Sequence, residues 1–164
     1  MPRPHHHTFE IGVISDTHGT LPPLVSEIFK ETDLIIHAGD IDKEDVLKEL
    51  RKISPVTAVK GNMDFGEWAQ NLKAAETIEV GEVSIYVLHN LEKLDLAPEG
   101  IFNAVIYGHT HLPSAEMQNN VLFLNPGSAA YPPNNTKASV ALLHIKGWHP
   151  SKFSLHFSQK LWRG

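Results

Sequence analysis

The sequence has no cysteine in its 164 residues. That excludes disulfide cross-links, thiolate metal ligands and a cysteine nucleophile, and it leaves the redox compartment open. Positive charge is also scarce, with 14 Lys and Arg against 19 Asp and Glu and a formal net charge of −5 at pH 7. An extended nucleic-acid or anionic-membrane surface needs a basic stripe, so neither is expected. A phosphate-bearing substrate is not excluded, because bound metal ions supply local positive charge of their own. No apolar run approaches the ~20 residues of a membrane span. The opening residues, Met1-Pro2-Arg3-Pro4 and then His5, His6 and His7, lack the apolar stretch of a secretory leader. A cytoplasmic location is therefore the expectation.

A hydrophobic content of 41% supports one folded domain with a substantial core. We expect a flexible tail at residues 1–8, a single domain over 9–158 and a polar tail at 159–164. The histidine triplet is shorter than a purification tag and is given no role. The sequence shows neither an internal repeat nor an interdomain linker. It leaves the oligomeric state open, a homo-oligomer included.

Histidine is abundant, with 11 residues, and its placement is informative. The apolar run Ala104-Val105-Ile106-Tyr107 leads directly into Gly108-His109-Thr110-His111. Two imidazoles one residue apart at the end of a buried strand need partners once desolvated. Histidine is also the commonest protein metal ligand. Gly108 reads as removing a side chain where a site must be open. The matching oxygen ligands also follow apolar runs. Residues 11–15 lead into Asp16-Thr17-His18, 34–38 into Gly39-Asp40, 56–60 into Gly61-Asn62-Met63-Asp64, and 83–88 into His89-Asn90. In open α/β sheets the functional crevice lies beyond the carboxyl ends of the strands. Five such ends would bring together Asp16, His18, Asp40, Asn62, His89, His109 and His111.

Each piece also has a plainer reading. Asp16 and Asp40 are good helix caps, and Asn62 suits a turn after Gly61. His37 reads as a hydrogen-bonded core histidine or as support behind the ligands. Asp64 reads as a supporting or turn residue, and His144 and His156 as solvent-facing strand positions. Phe65 and Trp68 either line a cleft or pack beneath the loop after the third strand. The order of the motifs, each after a strand, favours the metal reading.

The first half predicts strands at 9–15, 34–38 and 56–59, with helices at 22–30 and 43–53 between them. Val46, Leu47, Leu50 and Ile53 line one face of the second helix. This alternation implies parallel pairing with right-handed crossovers. The second half predicts strands at 75–80, 83–88, 104–107, 115–117, 121–124, 139–145 and 152–157. Gly81-Glu82 and Asn119-Asn120 read as hairpin turns, and Pro132-Pro133-Asn134-Asn135 as a surface loop. The short connections suggest a second, mostly antiparallel sheet.

Together, Asp16-x-His18, Gly39-Asp40, Gly61-Asn62-x-Asp64, His89 and Gly108-His109-Thr110-His111 resemble the calcineurin-like metallophosphoesterase superfamily. The size and Asn125-Pro126-Gly127-Ser128 look like its small branch, which holds the YfcE-type phosphodiesterases and the small retromer subunit. The resemblance implies an α/β fold, a four-layer α-β-β-α sandwich of two mixed sheets with outer helices. It implies two divalent metal ions, Mn first and Fe, Ni, Zn or Mg as alternatives. Asp16, His18 and His111 would bind one, Asn62, His89 and His109 the other, and Asp40 would bridge them. It implies hydrolysis of a small phosphate ester, a diester by preference, by direct attack of a metal-bridging hydroxide. Asp40, Asn62 and His109 would carry the catalysis, with Asn62 and Asn90 meeting the substrate. Two departures bear on activity. Larger members have His where this chain has Met63, and the small branch usually reads His-Gly-His where this chain reads His89-Asn90-Leu91. The alternative they raise is a metal-binding protein-interaction scaffold like the retromer subunit, with weak hydrolysis or none.

Overall fold

Strand β1 (Thr8–Ile14) is the middle strand of the first sheet, and its last four residues are buried. A strand covered on both faces needs an unbroken apolar run rather than alternation. The computed structural model describes residues 8–149 and 152–163, so the His5-His6-His7 triplet lies outside the described residues. β1 pairs in parallel with β2 (Leu34–His37), and β2 in parallel with β3 (Val56–Ala58). Helices α1 (Leu24–Ile28) and α2 (Glu44–Arg51) make the two crossovers. α2 buries Val46, Leu47 and Leu50, each worth about 1.5–3 kcal/mol when fully removed from water. Its acidic first turn, Glu44 and Asp45, and basic last turn, Lys48 and Arg51, both suit the helix dipole.

The second sheet contains β4 (Ala75–Val80), β5 (Val83–Leu88), β6 (Ala104–Ile106), β7 (Ser114–Gln118) and β8 (Val121–Asn125), in the order β4-β5-β6-β8-β7. It is less antiparallel than its short connections suggest, because β5–β6 and β6–β8 are parallel pairs. The chain from Leu88 to Ala104 is long enough to return to the same end of the sheet, as a parallel pair requires. Asn119 and Asn120, at φ 50° and 64°, turn the chain tightly between β7 and β8.

The chain closes the first sheet with β9 (Ala138–His149), antiparallel to β1, and β10 (Lys152–Trp162) at its edge. Thr8 and residues 159–162, expected in tails, belong to strands. Thr8 opens β1, paired with Lys146. Gln159, Lys160, Leu161 and Trp162 continue β10 against Ala141, Val140, Ser139 and Ala138. Ladder bonds are made by the backbone, so a polar stretch joins a sheet wherever an edge is offered. Trp162 also packs on the helix-side core. His144 lies on β9 and pairs with Glu10 at 3.4 Å. His156 lies opposite it in the register, and its side chain is outside the described ones.

The two sheets stack face to face, giving the α/β sandwich. Ile11, Val13 and Ile36 of the first meet Ile85, Val87, Ile106 and Leu124 of the second in one buried cluster. Both helices cover the outside of the first sheet, where Val25, Phe29, Leu47 and Leu50 pack on Ile14 and Ile35. The fourth layer is thin. A single 3₁₀ turn, Leu91–Lys93, and Leu94 cover Leu88, Val105 and Val121. The sheet stacking brings the carboxyl ends of β1, β2, β3, β5 and β6 to one edge.

Candidate metal centre

Seven predicted ligands meet at that edge. The Asp40 carboxylate Oδ2 lies 3.2 Å from His89 Nε2 and 3.8 Å from His18 Nε2. Asp16 Oδ1 lies 3.3 Å from His111 Nε2 and 3.9 Å from both His18 Nε2 and His89 Nε2. Asn62 Oδ1 lies 3.0 Å from His89 Nε2 and 3.2 Å from His109 Nδ1. Two groups of ligand atoms result, Asp16 with His18 and His111, and Asp16 with Asp40 and His89. Asp16 thus belongs to both groups, whereas Asp40 belongs to the second and approaches the first only through His18 Nε2 at 3.8 Å.

The backbone at these positions is unusual. Asp16, His18, Asp40, Asp42, His109 and His111 all have positive φ, between 46° and 73°. Left-handed backbone costs an L-residue about 1–2 kcal/mol. Asp and His are among the few residues that tolerate it, and such strain clusters at functional sites.

The imidazoles are held in defined tautomers. His89 Nδ1 donates to the Ala38 carbonyl at 2.7 Å, and His111 Nδ1 to the Tyr131 carbonyl at 2.7 Å. A carbonyl only accepts, so in the neutral rings both Nε2 atoms keep their lone pairs for the centre. His18 Nδ1 faces Asp42 Oδ2 at 3.3 Å, leaving its Nε2 inward too. His109 turns Nδ1 inward, and its backbone N–H donates to Asp16 Oδ2 at 3.1 Å.

This donor set fits divalent metal ions. Asp16 Oδ1 is buried and has no hydrogen-bond partner, although Ser15 Oγ serves its other oxygen at 2.7 Å. An orphaned, buried carboxylate oxygen ringed by imidazole nitrogens is a costly arrangement without a cation. Hard oxygens with imidazole and no thiolate suit Mn, Fe, Ni or Zn.

Burial raises the pKa of Asp16, opposed by the Ser15 hydroxyl and the nearby His89 and His111. Burial acts the same way on Asp40, but His89 and the Met63 N–H outweigh it and hold that carboxyl below its ordinary value. His89 is raised; burial opposes this, and Asp40 and Asp16 overcome it. His37 is pushed down to about 3 by burial, then by the charge of His89. It stays neutral, accepting from Gly39 N and hydrogen-bonded to Thr17 Oγ1 at 3.0 Å.

Asp64 takes the supporting place that the sequence allowed it, while Asn125 and Ser128 read first as a turn. The Asp64 carboxylate accepts four backbone N–H bonds, from Asp40, Ile41, Asp42 and Gly61. It fastens the loop after β2 to the loop after β3. Asn125 Nδ2 donates to the Gly108 carbonyl and to Thr110 Oγ1, both at 3.0 Å, and Ser128 Oγ donates to the Asp16 carbonyl at 2.7 Å. The Asn125–Ser128 turn therefore braces the ligand loops. Gly108 does not open the site as expected. A Cβ there would strike Ser15 Oγ and Asp16 Oδ2, so the glycine makes room for these two side chains. Asn90 Oδ1 accepts from the Glu92 N–H and caps the Leu91–Lys93 turn. Met63 and Phe65 are 46% and 69% exposed, whereas Trp68 packs on the helix-side core.

A two-sheet sandwich with a histidine and carboxylate cluster at its strand ends fits the metallophosphoesterase class. Residues 9–147 match the calcineurin-like phosphoesterase superfamily domain, and the chain belongs to that superfamily. It is 38% identical over 139 residues to a probable metallophosphoesterase of Methanocaldococcus jannaschii, covering 76% of this chain and 70% of that one. It is 26% identical over 159 residues to phosphodiesterase YfcE of Escherichia coli, covering 79% of this chain and 84% of that one. Vacuolar Protein Sorting 29 from Cryptosporidium parvum superposes with a TM-score of 0.73 over 94% of this chain and 98% of that chain. At 19% identity this likeness shows the fold alone. Among the described residues, no helix is long and apolar enough to cross a membrane.

Proposed function

We propose that this chain is a metal-dependent phosphodiesterase that hydrolyses a small phosphate ester at two divalent ions, Mn by preference. Asp16, His18 and His111 hold one ion, Asn62, His89 and His109 the other, and Asp40 both. The observation that carries this reading is the buried, unpartnered Asp16 Oδ1 facing three imidazole nitrogens. Two such ions, when bound, supply Lewis acidity and an activated water for in-line displacement at phosphorus. The protein's own part is positioning. Met63 N–H, bonded to Asp40 Oδ1 at 2.8 Å, turns Asp40 Oδ2 inward. Asn62 contributes a neutral oxygen, so it leaves its ion more electrophilic than a carboxylate would. His109 and Asn62 flank the phosphate position, and the Asn90 Nδ2 remains for a substrate oxygen. Two names among the relatives, metallophosphoesterase and phosphodiesterase, support the ester class.

The test is to strip the metal and assay bis-p-nitrophenyl phosphate beside p-nitrophenyl phosphate, with Mn, Ni, Mg or Zn restored. Metal-restored turnover that Asp40→Asn abolishes supports the proposal, and the better substrate reports ester class. No turnover with both sites demonstrably filled overturns it. One observation favours a second reading in that event, a metal-binding scaffold. Met63, a side chain with no proton to give, follows Asn62 at the mouth of the site.

A further inference from the structure

We infer that Asp42 is a positioning residue for one of the two metal sites, acting through His18; this rests on the metal-site reading above. Asp42 Oδ2 lies 3.3 Å from His18 Nδ1, and His18 Nε2 points inward at Asp16, Asp40 and His111. The Asp42 carboxylate thus meets one nitrogen of the His18 ring while the other nitrogen faces the ligand cluster.

The other uses of an aspartate here are absent. Asp42 stands two residues before α2, yet its side chain accepts no backbone N–H, and Lys43 is the cap without a side-chain bond. Among the described residues, its only ion-pair partner is His18. Asp42 Oδ1 is buried without a hydrogen-bond partner. The backbone is held at φ 68°, with the Asp42 N–H bonded to Asp64 Oδ1 at 2.8 Å. The protein thus holds this residue in left-handed backbone and buries one of its carboxylate oxygens, and the contact obtained is the one to His18. A carboxylate that receives the outer N–H of a ligating histidine fixes its tautomer and raises its basicity. His89 and His111 use neutral carbonyls for the same purpose. His18 is therefore the most electron-rich of the three, and its metal site should be the tighter for it.

Calorimetric titration of the metal-free protein with Mn or Zn tests this, comparing the parent with Asp42→Gly and Asp42→Asn. Glycine keeps the left-handed backbone and removes the carboxylate. Asparagine tolerates that backbone and keeps an acceptor without charge. Asp42→Gly is expected to weaken one ion 10–100-fold, the usual cost of losing such a partner, and to leave the other unchanged. Asp42→Asn should weaken the same ion by less. In the Zn-loaded protein, the hydrogen-bonded His18 Nδ1–H resonance should persist in Asp42→Asn and vanish in Asp42→Gly. Unchanged affinity for both ions in the variants that fold, or equal weakening of both, overturns the inference. A parent protein that takes up no metal at all overturns the metal-site reading itself, and the role of Asp42 with it.

Discussion

The Nε2 atoms of His18 and His111 face each other at 3.2 Å, and each ring spends its Nδ1 on an oxygen, of Asp42 and of the Tyr131 carbonyl. In neutral rings both inward nitrogens then carry lone pairs, so the contact is repulsive unless a cation lies between them. Metal binding should therefore stabilise the fold as well as enable chemistry. Free ion at 100 times its dissociation constant adds about 2.7 kcal/mol per site. Scanning calorimetry should show a higher melting temperature with Mn and a lower one after chelation, and His111→Ala should lose part of that gain. An identical melting temperature with and without metal would contradict the dinuclear centre.

Gly61 touches the Asp40 backbone so closely that a Cβ would overlap Asp40 N and Oδ1 and lie 2.9 Å from Asp40 Cα. Two of these are backbone atoms, and Oδ1 is held by the Met63 N–H at 2.8 Å, so the loops must part. Gly61→Ala should cost about 1–3 kcal/mol of stability, the range for overpacking. It should also weaken metal binding, because Asp40 moves. Denaturant melts with a metal titration check both; a stable variant with full metal affinity would show that the loop contact is dispensable.

The side chains gathered at the strand ends were legible in the sequence because each is placed just past an apolar strand. Asp16, Asp40, Asn62 and His109 each announce themselves by type and position. What holds them was not legible. The Ala38 and Tyr131 carbonyls that orient His89 and His111 belong to the backbone and leave no trace in residue type. Asp64 reads as a supporting or turn residue, but the loops it joins could not be read, because three of its four bonds reach residues more than 20 positions away. Gly108 looked like an opening for ligand because its real neighbours, Ser15 and Asp16, are remote in sequence. In the fold, strand existence followed from apolar runs. The parallel pairs of the second sheet and the extension of β10 depended on which edges were available, and that is a property of the assembled sheets.

His37 should make the protein acid-sensitive. Its pKa is about 3 when folded, against about 6.5 in the unfolded chain. Between those values the unfolded chain binds a proton that the folded protein refuses. Stability therefore falls as pH drops below about 6.5, by up to about 1.4 kcal/mol per pH unit from this one group. The depressed Asp40 adds to the loss once pH falls below the ordinary carboxylate range. His89, raised in the fold, acts in the opposite sense, its contribution being lost as pH rises through its folded value. His37→Gln keeps a donor for Thr17 and removes the titration. Denaturant unfolding of the metal-free protein at pH 6, 5 and 4 should show a shallower slope in that variant. Equal slopes would mean that His37 is not the group being titrated.

Leaving-group chemistry should expose the consequence of Met63. Expelling an alkoxide or aryloxide is fast unaided only when the leaving oxygen is weakly basic. A positioned acid adds about 10²–10⁴-fold when the oxygen is strongly basic. Met63 adjoins Asn62 and is 46% exposed, with no proton to give. The rate should therefore fall steeply along a series of aryl diesters as the phenol pKa rises. Because the position is open, Met63→His has room for an imidazole. It should accelerate the esters of basic phenols by about 10²-fold or more and leave the nitrophenyl ester nearly unchanged, flattening the slope. A flat slope in the parent, with chemistry shown to limit the rate, would mean that another residue already donates the proton. A steep slope that Met63→His leaves untouched would mean that the leaving group departs on the side away from this loop, towards His111 and Tyr131.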